Sequence, residues 1–419
     1  MFLSPEEKLI KLRKKYKITQ KELVGKEISR VFLGMIEVGK RGFTKKTGKI
    51  LCENMNNILI SRGIEDRINF DYLMESKEEQ SKKYLVELTE NIDNTSLINS
   101  LWDVDQAIFE LNMTEKRWWD IKIGDILRDT KDRLEARKYY KDSLIGNLDI
   151  KMVKEQILEI ARLNYYLNDF KDTILTVNKL KVQILEDKTD LTLKIMYNYA
   201  YAFYKEKDYD NALKEFKDLL RRFKDNELEF NIKNMIGVCY EQIGEFNKGI
   251  EYYEKLKKGR KKEEKIIILG NLLSIAIKRD DKNYLNEIYQ KIKQLFLTTL
   301  ESNDIFNFEL TLILARGAKA LGELKESKKY YLQLFSEEEH LNFKNKSKLE
   351  AMSELLRILT KEDYLTVKGL ELKYFNLIKK EKNCYVILEF INYYQENNYR
   401  IDLNSILNNS LKTFSVDNL

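Results

Sequence analysis

Between Met196 and Leu219 the chain sets down a short pattern that it then repeats. Ala200 and Phe203 share an apolar helical face, Lys207-Asp208-Tyr209-Asp210 interrupts it, and Ala212, Phe216 and Leu219 resume at helical spacing. Further on, the same order returns as Gly237, Tyr240, Gly244-Glu245-Phe246, Gly249, Tyr253 and Leu256. Two antiparallel helices with small residues where they cross cannot bury their apolar faces alone. Such a hairpin must stack on copies of itself.

Weaker copies flank these two. Gly124, Leu127, Ala136 and Tyr140 fit one, Ala161, Asn164, Asn168-Asp169-Phe170 and Val177 another, and Ala315, Ala318, Gly322-Glu323-Leu324, Ser327 and Tyr331 a third. Ile266 to Phe296 reads as a degenerate hairpin and residues 348–411 as two more. The order of small, aromatic, turn, alanine and aromatic residues resembles the tetratricopeptide repeat. That resemblance implies seven to nine hairpins over residues 117–419, wound into a right-handed tetratricopeptide-like superhelix with a concave groove. Pro5 is the only proline in 419 residues and glycine is sparse, so nothing breaks helices beyond the first turn and the fold class is all-α.

The amino end is organised differently. Ser4-Pro5-Glu6-Glu7 is a capping box with proline at the first helical position, predicting a helix to about Lys15. Thr19-Gln20-Lys21-Glu22 is a second capping box, and Gly25 with Lys26-Glu27 keeps its helix short. Ser29 caps a third helix that Gly39 closes, with Leu33 and Ile36 inward and Val31 and Met35 flanking or outward. A longer helix follows Thr44, carrying Ile50, Leu51, Met55, Ile58 and Leu59 to a close near Gly63. Residues 1–70 are expected to be one domain, residues 71–116 connector helices with a polar stretch from Asp71 to Glu79, and residues 117–419 the repeat domain.

Two short helices, a tight turn and a basic loop describe a helix-turn-helix. Ile18-Thr19-Gln20-Lys21-Glu22-Leu23, Ile28-Ser29-Arg30 and Ile36-Glu37-Val38-Gly39-Lys40-Arg41 resemble the phage-repressor class, over about 50 residues. The turn is about one residue short. Gly34 stands where that class often has serine, and Met35 where it often has a basic residue. The resemblance implies contacts to double-stranded DNA from Gln20, Lys21, Arg30, Val31 and Met35, with Lys40, Arg41 and Lys45 on phosphates. A glutamine at a helix start can reach phosphate, an arginine can pair with guanine, and Val31 or Met35 can meet thymine methyls.

Charge points the same way. Residues 1–70 hold 16 of the 74 Lys/Arg but only 8 of the 68 Asp/Glu, so the basic excess lies in the head. His340 is the only histidine, which excludes a histidine metal cluster or a His-dependent triad; no catalytic constellation and no cofactor are expected. Cys52, Cys239 and Cys384 form no CxxC and read as buried apolar residues. The apolar run from Ile266 to Ile277 is interrupted by Asn271 and Ser274 and falls short of the roughly 20 residues a bilayer needs. Glu6 and Glu7 stand where a signal peptide would carry cations, so a cytoplasmic location is expected.

In the body, repeat register places Tyr197, Tyr201, Asn231 and Asn234 on the groove, with Asn198 beside them and Asn271 one repeat on. Asparagine amides both donate and accept, so such a series can hold an extended chain whatever its sequence. A repressor-like head on a tetratricopeptide body resembles the RRNPP family of peptide-responsive regulators. The resemblance implies a homodimer that binds operator DNA and senses a short signalling peptide. A repeat scaffold for a regulatory protein is the alternative.

Overall fold

The computed structural model describes residues 2–91, 94–130, 132–146, 149–224, 227–256, 261–297, 305–336, 345–380 and 384–399, and among these every regular element is a helix. His340, the side chain of Cys384 and residues 400–411 of the last expected hairpins lie outside that set. The chain divides into two compact units, residues 1–208 and residues 209–419.

The first unit opens with α1 (Pro5–Lys15), α2 (Gln20–Leu23), α3 (Arg30–Glu37), α4 (Lys45–Ser61) and α5 (Phe70–Met74). Their starts follow the caps. Glu7 N donates to Ser4 Oγ at 3.2 Å while Ser4 N donates to Glu7 Oε2 at 2.7 Å, and Thr19 with Glu22 repeats the arrangement at the same distances. Phe32 N donates to Ser29 Oγ at 3.1 Å, starting α3. Gly25 has φ +57 and Gly39 φ +69, left-handed conformations that end the turns around α2 and α3 with no side-chain strain. Leu9, Ile18, Leu23, Leu33, Ile36, Leu51, Met55, Leu59 and Leu73 form one buried cluster.

Next come α6 (Lys77–Asn91), α7 (Asn94–Asn99), α8 (Leu101–Phe109), α9 (Met113–Asp129), α10 (Arg133–Asp142), α11 (Ile150–Leu167), α12 (Phe170–Ile184) and α13 (Asp190–Lys205). A second cluster runs from Leu85 and Leu88 of α6 through Val104 and Ile108, Trp119 and Ile123, Tyr139 and Tyr140, to Ile160 of α11. The helices before residue 117 therefore share the core of the first repeats. At Gly124 an added Cβ would lie 3.0 Å from the Tyr140 ring, so glycine sets how closely α9 and α10 approach.

The stretch from Glu75 to Lys83, polar in sequence, is tied to the head. The ammonium of Lys8, 1% exposed, donates to the carbonyls of Tyr72 (2.7 Å) and Glu75 (2.9 Å) and pairs with the Glu75 carboxylate at 3.4 Å. Gln80 exchanges hydrogen bonds with the backbone of Leu3, donating at 2.7 Å and accepting at 3.3 Å. Lys83 reaches Glu75 at 2.7 Å, and Lys77 reaches Glu7 at 3.2 Å.

The second unit contains α14 (Tyr209–Arg222), α15 (Glu229–Ile243), α16 (Phe246–Leu256), α17 (Lys262–Lys278), α18 (Lys282–Leu297), α19 (Ile305–Ala320), α20 (Leu324–Ser336), α21 (Asn345–Leu356), a 3-10 turn at Lys361–Asp363, α22 (Tyr364–Lys380) and α23 (Cys384–Glu396). Pairs α15/α16, α17/α18, α19/α20 and α21/α22 are successive hairpins, and one core runs through them from Tyr253 to Tyr394. At Gly237 an added Cβ would fall 2.5 Å from Tyr253 Cζ, so only glycine lets α15 and α16 cross with that ring between them. The fold is a tetratricopeptide-like helical repeat.

Replacing Lys8 by alanine leaves the Glu75 carboxylate and two carbonyls without their shared donor. We expect a loss of about 2–4 kcal/mol. Thermal unfolding should show it, and limited proteolysis should then cut within residues 75–83 faster than in the wild type.

Candidate functional site

The head presents the predicted residues around α3. Arg30 and Val31 open its exposed side, with Val31 72% exposed, while Met35 is half-buried. The loop after α3 is held by its backbone, because Lys40 N and Arg41 N both donate to Met35 O, at 2.8 and 3.2 Å. Their side chains stay in solvent, as do those of Lys21 and Lys45. None of Lys21, Arg30, Lys40, Arg41 and Lys45 has a carboxylate within 4 Å among the described residues; of the head's other cations, Lys8, Arg13, Lys15 and Arg62 are paired.

Gln20 does not project freely. Its Nε2 donates to Glu37 Oε2 at 2.7 Å, and its Oε1 faces Arg30 Nε at 3.5 Å. Glu37 in turn accepts from Arg13 Nε at 2.7 Å and Arg13 NH2 at 3.2 Å, and Arg13 NH1 donates to Ile18 O at 3.1 Å. The Arg13–Glu37 pair, missed in the sequence, thus locks α1, α2 and α3 together and aims Gln20 at Arg30. A carboxylate at the end of an amphipathic helix gives no sign in sequence that it turns inward.

In the first unit Tyr197 and Tyr201 stack with centroids 6.4 Å apart and planes 11° from parallel. Tyr201 also meets Tyr165 at 6.0 Å and Phe170 at 6.4 Å, and Tyr165 and Tyr166 are exposed. Burial pushes the phenols of Tyr197 and Tyr201 up to about 12, so both remain hydrogen-bond donors at neutral pH. Phe170 is legible in sequence only as a residue of the repeat turn, and Tyr165 not at all, although Tyr165 stands one repeat before Tyr201. Asn198 bonds back to Lys194 O on its own helix at 3.0 Å.

In the second unit Asn271 Nδ2 donates to Asn234 Oδ1 at 2.8 Å, and Asn231 is exposed. Two of the proposed amides therefore already satisfy each other. One helical turn or two further along the same helices, the buried Glu241 accepts from Ser274 Oγ at 2.7 Å and pairs with Lys278 at 2.8 Å. Residue type alone does not mark this trio in the sequence, yet Glu241 and Lys278 have the same offset as Asn234 and Asn271.

Among the described residues no group of three or more His, Cys, Asp or Glu could hold a metal ion, and no helix is long and apolar enough to cross a membrane. Cys52 and Cys239 are buried free thiols, and burial pushes Cys239 up to about 12, which makes it a poor nucleophile.

Tetratricopeptide repeat models match residues 195–226 and residues 230–258. The chain is similar to the apo form of the quorum sensor NprR from Bacillus thuringiensis, at 15% identity over 91% of this chain and 99% of that one, with a TM-score of 0.45. It is also similar to Bacillus thuringiensis PlcR in complex with the peptide PapR7 and DNA, at 15% identity over 61% of this chain and 95% of that one, with a TM-score of 0.27. A tetratricopeptide repeat protein from Parabacteroides merdae is 12% identical over 71% of this chain and 99% of that one, with a TM-score of 0.45. No curated protein matches the sequence.

Glu37→Ala strips Arg13 and Gln20 of their common acceptor on side chains that are 18% (Arg13) and 8% (Glu37) exposed. We expect the head to lose about 2–4 kcal/mol, measured by thermal melting of the full chain followed at a probe on α3. An unchanged melt would mean that the pair does not hold the three helices.

Proposed function

We propose that this chain is a cytoplasmic transcriptional regulator that binds operator DNA through residues 1–70 and senses a short peptide on its repeat body. The observation that carries the DNA reading is the set of exposed cations around α3, Lys21, Arg30, Lys40, Arg41 and Lys45, none of which has a carboxylate within 4 Å among the described residues. Exposed cations free of carboxylates are available to phosphate. Two heads of a homodimer would meet the two halves of a roughly two-fold operator.

In this reading Gln20 and Arg30 act as one unit. Glu37 holds the glutamine, the glutamine carbonyl holds Arg30 Nε, and the two terminal guanidinium nitrogens remain for guanine O6 and N7. Val31 supplies apolar contact to thymine methyls, with Met35 behind it. Lys21, Lys40, Arg41 and Lys45 hold phosphates. Arg30→Ala should weaken specific binding by about 1–3 kcal/mol and relax preference at one base pair. Lys40→Ala or Arg41→Ala should instead weaken all sequences alike and flatten the salt slope by about one unit. Titrations of operator and random duplex at three salt concentrations separate the two behaviours, and a salt-independent interaction would overturn the DNA reading.

For the peptide, the contacts assigned are Tyr197, Asn198 and Tyr201 in the first unit and Asn231, Asn234 and Asn271 in the second. The bond between Asn234 and Asn271 sharpens the expectation for that pair. The bond takes one N–H of Asn271 and one lone pair of Asn234, so a peptide backbone can meet Asn234 Nδ2 and Asn271 Oδ1 without breaking it, with about one new hydrogen bond per amide. Asn234→Ala should cost about 1 kcal/mol of peptide affinity, and Asn271→Ala about the same. Calorimetric titration with peptides encoded by neighbouring genes tests it. Full-strength binding by the double variant would remove these residues from the site, and a body that binds a protein but no peptide would leave the scaffold reading.

A further inference from the structure

Apart from both surfaces, α8, the start of α9 and the end of α10 line a half-open cavity of ≈ 300 Å³, the lower end of what small-ligand sites occupy. Its charges are unevenly satisfied. Lys138 donates to Asp105 Oδ2 at 2.7 Å, and Tyr139 donates to Asp105 Oδ1 at 2.7 Å. Arg117 donates to the carbonyls of Ser143 and Ile145, both at 3.1 Å, and the Lys116 ammonium sits 5.0 Å from the centre of the Phe109 ring. Two carboxylates remain. Asp120 lines the cavity at 5% exposure and Asp142 lines it half-buried, and neither has a hydrogen-bond donor or an ion-pair partner among the described residues.

A buried carboxylate without donors is costly unless something supplies charge and N–H groups. The cavity offers no third carboxylate or imidazole in position to complete a metal site. Its apolar wall, Ile108, Met113 and Ile145, suits a hydrocarbon stem rather than a hydrated ion. An anion would meet Asp120 and Asp142 directly. We propose that this cavity binds a primary alkylammonium group, its N–H donors engaging Asp120 and Asp142 and its stem lying against Ile108, Met113 and Ile145. The shared chemistry has two sources, a free amine or the lysine side chain of a peptide.

The protonation of Asp120 sets the pH dependence. Burial, and next the negative charge of Asp142, push its carboxyl up to about 7; Asp105 adds to the rise, and Lys116 and Lys138 oppose it. With its folded value above the unfolded one, Asp120 contributes stability at low pH that is lost as pH rises through about 7. An ammonium binds the ionised form. Affinity should therefore climb by up to about tenfold per pH unit below about pH 7 and level off above it, with uptake of ligand releasing a proton below that point.

The test is calorimetry of the full chain at pH 6, 7 and 8 with n-pentylammonium, with Nα-acetyl-lysine amide, and with 1-pentanol as the uncharged counterpart. We expect both cations to bind and pentanol not to, with affinity about fivefold weaker at pH 6 than at pH 7 and about tenfold weaker than at pH 8. The tighter of the two cations identifies the source. Asp120→Asn should lose at least tenfold in affinity and lose the pH dependence with the helical circular dichroism unchanged. Should that variant fail to fold, Asp142→Asn, at a half-buried position, and the wild-type pH profile decide. Absence of binding at pH 8, equal binding of pentanol, or full affinity in Asp120→Asn or in the folded Asp142→Asn would overturn the proposal.

Discussion

A helical hairpin has one face too many. Packing its two helices against each other buries one side of each, and the outer apolar rows remain for a neighbouring hairpin to cover. Everything in the body follows from how closely the two helices cross, because that distance fixes which rows are left and at what spacing. At Gly237 the ring of Tyr253 occupies the space a Cβ would need, and Tyr140 fills most of the space left at Gly124. The aromatic rings are the spacers, and the glycines are what admit them. A core built this way is continuous along successive hairpins, which is why one cluster extends from α6 to α11 and another from α16 to α23.

Apolar stacking fixes that hairpins pack but leaves their sliding loosely determined, since a Leu-rich face tolerates small shifts. Ion pairs and amide pairs set the register. In the first unit Arg128 meets Glu159, Arg137 meets Asp169, Lys141 meets Asp172 and the buried Lys154 meets Asp187, at separations of 31, 32, 31 and 33 residues. In the second, Asn234 meets Asn271, Arg316 meets Glu354 in a two-pronged contact that also takes the Tyr331 hydroxyl, and Arg357 meets Glu389, at 37, 38 and 32 residues. Each separation is about one repeat. Partly buried pairs of this kind contribute modestly to stability, but a one-turn slip would strand charges against apolar neighbours, so they specify alignment.

This explains what the sequence disclosed and what it withheld. Capping boxes at Ser4 and Thr19 are local, within four residues, and were legible with their partners. Small and aromatic positions of the repeat were legible because stacking imposes the same residue types at each copy. Of the polar ladder only Asn234 and Asn271 were legible, because a pair needs complementary groups at one-repeat offsets without requiring the same residue in successive copies: Asn234–Asn271 is followed on the same helices by Glu241–Lys278. Nor could composition show that the stretch from Glu75 to Lys83 is tied down. Its anchor is Lys8, over 60 residues away in sequence, and a polar segment that satisfies buried lysine looks the same as one that faces water.

That anchor also limits how a signal could pass from repeats to head. Tyr165 and Tyr201 lie on α11 and α13, and α11 shares its core, through Ile160 and Leu163, with α6. Packed cores shift between discrete arrangements rather than deforming smoothly, so a change in α11 would reach α6 as a rigid displacement. At α6 the path meets the Lys8 ammonium, which cannot leave the Tyr72 and Glu75 carbonyls without becoming an unpaired buried charge. The head therefore moves with α6 or not at all. In the proposed dimer, a ligand that changes the spacing of the two heads would act by moving whole head-and-α6 bodies, and it must bind the two arrangements with different affinity to do so.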